Sequence, residues 1–393
     1  MRARPAIPRT VWVLGFVSLL MDLSSEIYHA LLPAFLTVTL GLPVLAMGAI
    51  DGIAEATASF AKLASGRLSD RSQRRKPLIL LGYGMAALSK PLFPLATTAW
   101  PVLGARFLDR IGKGIRGAPR DAMIGDETPP ELRGRAFGLR QALDTVGAML
   151  APILAIGLMA AFAGDMRAVF WVAAIPAFLC FLLAWLALKE PARHVDQVAV
   201  RPVFAGFRDI DAATRRLIAL GFLFTLARFS EGFLVLKAIE AGVSVAWSPL
   251  ALVIFNIGFG AFAYQAGAWS DRVSPRLVLM AGMVVLIAAD LILALQSGLA
   301  ALAIGIFLWG AHMALTQGIF ARMVADSAPV NLRATSFGAF HFATGIATLL
   351  ASLAAGFLWD RQGSEATFLA GAFVAAAALA MLSLLPEERD RSS

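Results

Sequence analysis

The sequence predicts an all-α integral membrane protein, with twelve transmembrane helices in two pseudo-symmetric six-helix bundles. Three observations carry that prediction. The chain has 393 residues and is 59% hydrophobic, with a mean hydropathy of +0.75, against roughly 45–50% apolar residues in soluble domains. Its apolar residues fall into about twelve runs, each near the ~20 residues that a helix needs to cross a bilayer core. Two polar signatures also recur about 200 residues apart. Gly66-Arg67-Leu68-Ser69-Asp70-Arg71 is echoed by Gly267-Ala268-Trp269-Ser270-Asp271-Arg272, and Leu132-Arg133-x-x-Ala136-Phe137-Gly138 by Leu332-Arg333-x-x-Ser336-Phe337-Gly338, with Asp126 and Asp326 upstream. Matches at one spacing mark an internal duplication.

Taken in order, the apolar runs predict helices near 10–39, 44–65, 77–96, 99–124, 135–162 and 167–188, then near 215–240, 246–267, 277–296, 299–325, 335–358 and 365–385. The first follows a basic, signal-like N-terminus. Asp22 and Glu26 interrupt its apolar region and no small-residue cleavage site follows, so it reads as a retained helix. The Arg67–Lys76 cluster separates the second and third helices, and Arg133 with Arg135 the fourth and fifth. The longest polar break divides the chain into an N-terminal bundle (1–190), a cytoplasmic linker (191–214) and a C-terminal bundle (215–393).

The net charge of +8 is loop arginine that sets orientation, not a nucleic-acid surface. Arg2, Arg4, Arg9, the 67–76 cluster, Arg133, Arg135, the linker, Arg272, Arg276, Arg333, Arg389 and Arg391 map to one side, while the other side holds chiefly Arg167 and Arg361. Both termini are therefore expected in the cytoplasm. Cys180 is the single cysteine and is expected to pack between helices, with no disulfide, metal site or cofactor.

Charges inside the apolar runs mark the candidate site. Asp22, Glu26 and His29 share one face of the first helix, at i, i+4 and i+7. Facing lipid, each charge would cost ~2.5–3.5 kcal/mol or more, so they face a polar cavity or partners. A carboxyl group taken out of water holds a proton more readily, which makes Asp22 and Glu26 candidate proton carriers. Helix 2 carries Asp51 and Glu55 one turn apart, helix 3 has Lys90, and helix 4 has Arg106, Asp109, Arg110, Lys113 and Arg116. The helix 4 bases are expected to find the acids of helices 1 and 2, since burying either sign alone is costly. Asp144 adds an acid on helix 5, and Arg228 and Glu231 on helix 7 have the spacing of a helical i, i+3 pair. Asp290 stands alone on helix 9, with His312 on helix 10, and the second bundle is expected to supply mainly cavity walls. Trp171, Trp247, Trp269, Trp309 and Trp359 read as interface or packing residues. Gly112-Lys113-Gly114 lacks the surrounding residues of a phosphate loop.

The stretch Gly66-Arg67-Leu68-Ser69-Asp70-Arg71-Ser72-Gln73-Arg74-Arg75-Lys76 resembles the cytoplasmic loop 2–3 signature of the major facilitator superfamily, with Gln73 where that motif usually has glycine. The copy ending in Asp271 and Arg272 falls between helices 8 and 9, as that family implies. Leu103-Gly104-Ala105-Arg106-Phe107-Leu108 resembles the family's helix 4 motif with its buried arginine, and Thr145-Val146-Gly147-Ala148-Met149-Leu150-Ala151-Pro152 the helix 5 motif of proton-driven exporters, with Ala151 in place of glycine. The resemblance implies a conformational latch at the cytoplasmic mouth built from Gly66, Asp70, Arg71 and Arg74, with Asp126 as the third member of the Asp70–Arg74 charge cluster and Asp271 with Arg272 as the weaker copy.

The expectation from residues and resemblance together is a secondary active transporter of the plasma (inner) membrane. It would work as a monomer by alternating access, exchanging protons for a small organic solute in export. Its cavity would be lined by Asp22, Glu26, His29, Asp51, Glu55, Arg106, Asp109, Asp144, Arg228 and Glu231. Proton-linked import and anion transport by the same fold are the alternatives, and a receptor or a membrane enzyme is a remote one. No nucleophile–base or metal-ligand arrangement points to an enzyme.

Overall fold

The computed structural model describes residues 7–71, 74–190, 210–270, 272–328 and 332–384, and within them the side chains outside 62–71, 325, 333 and 334. Among the described residues all regular structure is helical: α1 (Arg9–Ala34), α2 (Val44–Arg71), α3 (Lys76–Ser89), α4 (Leu92–Leu95), α5 (Ala99–Glu127), α6 (Arg133–Ala161), α7 (Met166–Ala187), α8 (Ala212–Leu226), α9 (Gly232–Glu240), α10 (Leu250–Ser270), α11 (Pro275–Leu295), α12 (Leu299–Ser327) and α13 (Arg333–Leu384). Nine spans among these residues are long and apolar enough to cross a membrane. The α13 span is two helices that meet at Gly363, whose φ of 87° only glycine adopts readily. The charged α5 and the divided pair α8–α9 complete the predicted twelve.

Three helices depart from the continuous forms expected. The helix at 77–96 stops at Ser89 and restarts at Leu92, because Pro91 and Pro94 lack the amide hydrogens a helix needs. The first helix ends in a π-helical turn, Phe35–Thr39, just after Pro33. The helix expected at 215–240 is broken between Leu226 and Gly232. Arg228 and Glu231 therefore do not share a helix, and the expected i, i+3 pairing has no helical basis.

The chain divides into two compact units, Met1–Val203 with Glu231–Val253, and Phe204–Ser230 with Ile254–Ser393. The first unit thus takes in α9, which packs on α1, whereas the sequence places that segment with the C-terminal half.

In the first unit, Val11, Leu14, Val17 and Met21 of α1 pack with Ile79 and Tyr83 of α3, Met123 of α5, and Cys180 and Ala184 of α7. Small residues bring the helices close. A Cβ on Gly112 would lie 2.5 Å from the Gly82 carbonyl oxygen, and one on Gly147 2.7 Å from that of Leu19. Gly112 is therefore a packing residue of the α3–α5 contact. The opposite face of α7 leaves Trp171, Ile175, Phe178, Leu179, Trp185 and Leu186 exposed, as a lipid-facing surface requires.

In the second unit, α11 packs against α12 and α13, and α8 against α13. Contact between α10 and α12 rests on two glycines: a Cβ on Gly258 would overlap the Phe307 carbonyl oxygen, and one on Gly310 that of Phe255. Gly310→Ala is expected to destabilise the protein by roughly 1–3 kcal/mol through overpacking, seen as earlier thermal unfolding in detergent. Gly260→Ala, on the same helix as Gly258 but with nothing within 4 Å of the added methyl group, serves as the unperturbed control.

Candidate functional site

Helix α5 positions the charges of the first unit. Arg106 and Arg110 are one turn apart on α5, as Asp51 and Glu55 are on α2, so the two helices meet as a two-rung ladder. Arg106 Nη2 donates to Asp51 Oδ1 at 2.6 Å, with both side chains at most 3% exposed. Arg110 Nη1 reaches Glu55 Oε1 at 3.2 Å, and its Nε lies 3.9 Å from Asp109 Oδ2. Asp109 turns to α3 instead, where Lys90 Nζ is 3.0 Å from its Oδ1, with both side chains buried. Lys90 also donates to Ser25 Oγ at 2.9 Å and sits 5.1 Å from the Tyr28 ring centroid. Tyr28 is held in turn by the carbonyls of Lys90 and Phe170.

The expected partnership of helix 4 bases with helix 2 acids is thus present, but the helix 1 acids are not their ionic partners. Glu26 Oε2 lies 3.1 Å from His29 Nδ1 on its own helix. Asp144 is taken by Arg140 on α6 at 2.6 Å. Asp22, partly exposed beside Gly147, and Glu231, at the head of α9, have no Lys, Arg or His nitrogen of the described residues within 4.0 Å. Among the bases, Lys113 is exposed and Arg116 buried against the Tyr83 ring at 4.7 Å, and neither has a carboxylate oxygen of the described residues within that distance.

At the end of the unit that carries the basic loops, Arg75, 3% exposed, places Nη2 3.0 Å from Asp126 Oδ2. Arg75 was only one of a run in the sequence, and its burial is what distinguishes it; Arg74 is exposed. Glu190 accepts from the backbone amides of Arg75 and Lys76 at 2.6 and 3.0 Å, while Lys76 Nζ donates to the carbonyls of Trp185 and Leu188. Each of α3 and α7 is capped by a charge from the other. The side chains of Gly66, Asp70 and Arg71 and the whole of Asp271 lie outside the described residues; Arg272 is exposed.

In the second unit, Arg228 Nη1 donates to Met313 Sδ at 2.9 Å and its guanidinium stands 5.3 Å from the Phe224 ring centroid. Asp290 is not alone: Trp309 Nε1 donates to its Oδ1 at 3.1 Å. Trp309 is 1% exposed, so it is a core residue and not an interfacial one. The isolated polar residue in each apolar run was the available signal for these contacts; which helix answered it depended on packing.

The sequence pattern described as Major Facilitator Superfamily matches residues 14–250 and 217–393. An uncharacterized MFS-type transporter of Methanocaldococcus jannaschii is 31% identical over 375 residues, covering 94% of this chain and 93% of that protein. The multidrug resistance protein MdtG of Salmonella newport is 28% identical over 233 residues, about half of each chain (56% and 55%). Among solved structures, the nucleoside transporter NupG superposes with a TM-score of 0.78 at 16% identity, over 96% of this chain and all of that one, which shows a shared fold.

Asp109→Asn strands the buried Lys90 ammonium and is expected to cost about 3–5 kcal/mol. Replacing both, Asp109→Leu with Lys90→Met, is expected to recover most of that loss. Thermal unfolding of both single variants and the double variant in detergent measures the difference, and a double-variant loss equal to the sum of the two single losses would show no coupling between the groups.

Proposed function

This chain belongs to the major facilitator superfamily, and we propose that it is a secondary active transporter that exports a small organic solute by alternating access, driven by proton entry. The observation that carries this reading is the state of Asp22. Glu26, Asp51, Glu55, Asp109 and Asp144 each have a base within 3.2 Å, so protonating them breaks a pair. Asp22 can take and give up a proton without that penalty, from the middle of α1 and with partial exposure. Glu231 shares the property and stands where the helix restarts, and interrupted helices commonly line transporter binding sites.

Export is favoured by the similarity to a multidrug resistance protein over half of the chain. The sequence has no nucleotide-binding motif, so an ion gradient is the driving force. The Arg75–Asp126 pair, with Asp70 and Arg71 at the end of α2 and Arg74 just beyond it, biases the equilibrium between two states of the bundle, and Asp271 with Arg272 does so in the second half. The distribution of arginine supports cytoplasmic termini, and the proposed transporter works as a monomer in the plasma (inner) membrane. Lys113 and Arg116, with no carboxylate oxygen of the described residues within 4.0 Å, favour a second reading in which the solute is an anion.

The test is compound accumulation across a chemical panel in cells that lack their major exporters, with empty vector, wild type and Asp22→Asn, each with and without a protonophore. Wild type is expected to lower the level of at least one compound, protonophore to restore it, and Asp22→Asn to match the vector. A level that rises with wild type makes the protein an importer, and an Asp22→Asn variant that exports as wild type does removes Asp22 from the proton path.

A further inference from the structure

Asp290 lies about three-quarters of the way along α11 and is fully buried, at 0% exposure. Its carboxyl oxygens have different surroundings. Oδ1 accepts from the Trp309 indole N–H at 3.1 Å, and the described residues offer Oδ2 no hydrogen-bond donor. Oδ2 instead occupies the space left by a missing side chain: a Cβ on Gly371 would lie 2.7 Å from Oδ2 and 3.3 Å from the carbonyl oxygen of Ala227. The free carboxyl oxygen and a backbone carbonyl oxygen thus border one small gap.

The walls of this gap are apolar. Phe229 stands 6.1 Å from Trp309 and 5.4 Å from Phe368, ring centre to ring centre, and Phe255 stands 6.0 Å from Trp309. The ionisable groups on the surrounding helices leave the carboxyl without a cation. His312, also 0% exposed, is held edge-on to Trp309 at 4.6 Å. Arg228, just beyond α8, is directed to Met313 and Phe224. On α11 itself Arg276 is engaged by the carbonyls of Leu382 and Ser383, and on α12 Arg322 by Ser270. On α13, Arg361 and Glu365 are exposed, and α10 has only Tyr264, also exposed. No Lys, Arg or His nitrogen of the described residues lies within 4.0 Å of Asp290.

A carboxylate here would carry its charge beside a carbonyl oxygen in an apolar box with one neutral donor, an arrangement that burial penalises severely. A carboxylic acid fits the same box: Oδ1 accepts from Trp309, and a proton on Oδ2 sits at the gap that the Ala227 carbonyl oxygen also borders. We propose that Asp290, boxed by Trp309, Gly371 and Ala227, is a proton-binding site of the second unit that holds its proton in the arrangement described. Ala227, whose carbonyl oxygen borders the same gap, closes α8 at the break before α9. The sequence assigned this half mainly cavity walls. The proposal goes beyond the export reading and does not depend on it.

The test is infrared difference spectroscopy of the purified full chain in lipid nanodiscs at neutral pH, in light and heavy water. The wild-type minus Asp290→Asn spectrum is expected to show one carboxylic acid C=O band that shifts down in heavy water. Gly371→Ala, whose methyl group intrudes on Oδ2, is expected to move that band without removing it. Should the asparagine variant fail to fold, Asp290→Glu gives the same reading as a displaced band. A difference confined to the carboxylate stretching region overturns the proposal. Because the readout is the bond itself, that result would leave proton-driven export standing, and loss of export would leave this band in place.

Discussion

Helix α5 must be charged and must also be buried, and the first unit is organised by that conflict. Arg106, Asp109, Arg110 and Arg116 are each at most 5% exposed, and no bilayer-embedded helix carries such a set without compensation. The neighbours supply it by sign and by turn: two acids from α2 meet two arginines, and a lysine from α3 meets the aspartate between them. Because the spacing on α2 and α5 is the same, one rotation of each helix satisfies both rungs. Packing follows from this, with Gly82 and Gly112 drawing α3 and α5 together at the level where Lys90 must reach Asp109.

The ladder also distinguishes acids paired with a base from acids that have none within 4.0 Å among the described residues. A paired carboxylate is fixed by its base, and protonating it leaves an uncompensated cation. Asp22 and Glu231 stand outside that constraint in the first unit, and Asp290 stands outside it in the second by a different route, through burial against neutral groups. Two settings of a carboxyl without an ion pair among the described residues are therefore present: partial exposure, and an apolar box with one neutral donor.

Interruptions in the helices fall close to this chemistry. The break at Pro91 follows directly on Lys90, and the break at 227–231 separates α8 from α9 at the residues that include Arg228 and Glu231. At the second, Gly232 allows an approach in which a Cβ would lie 3.0 Å from Pro33 and 3.2 Å from Asp51 Oδ2. Non-helical backbone at membrane depth requires burial in protein or a polar cavity.

The number of spans, the duplication and the presence of charge within particular helices were all legible in the sequence, because hydropathy and helical spacing are local properties. Legible too was the rule that helix 4 bases must find acids, since it follows from sign and burial alone. Pairing was not: that Arg106 meets Asp51, that Lys90 meets Asp109, that Arg75 in a run of bases is the buried one, and that Asp290 answers to Trp309 depend on helix rotations set by glycine contacts between distant segments. The break at 227–231 was hidden for a related reason. Its residues, Ala227 to Glu231, include no proline or glycine to stop a helix, and Ser24-Ser25-Glu26 on α1 does continue one where Ser230-Glu231 does not. The sequence by itself determined which residues must be compensated; the tertiary structure decided by which partner, because a charge in a low-dielectric interior fixes the need for a counter-group but not the helix that supplies it.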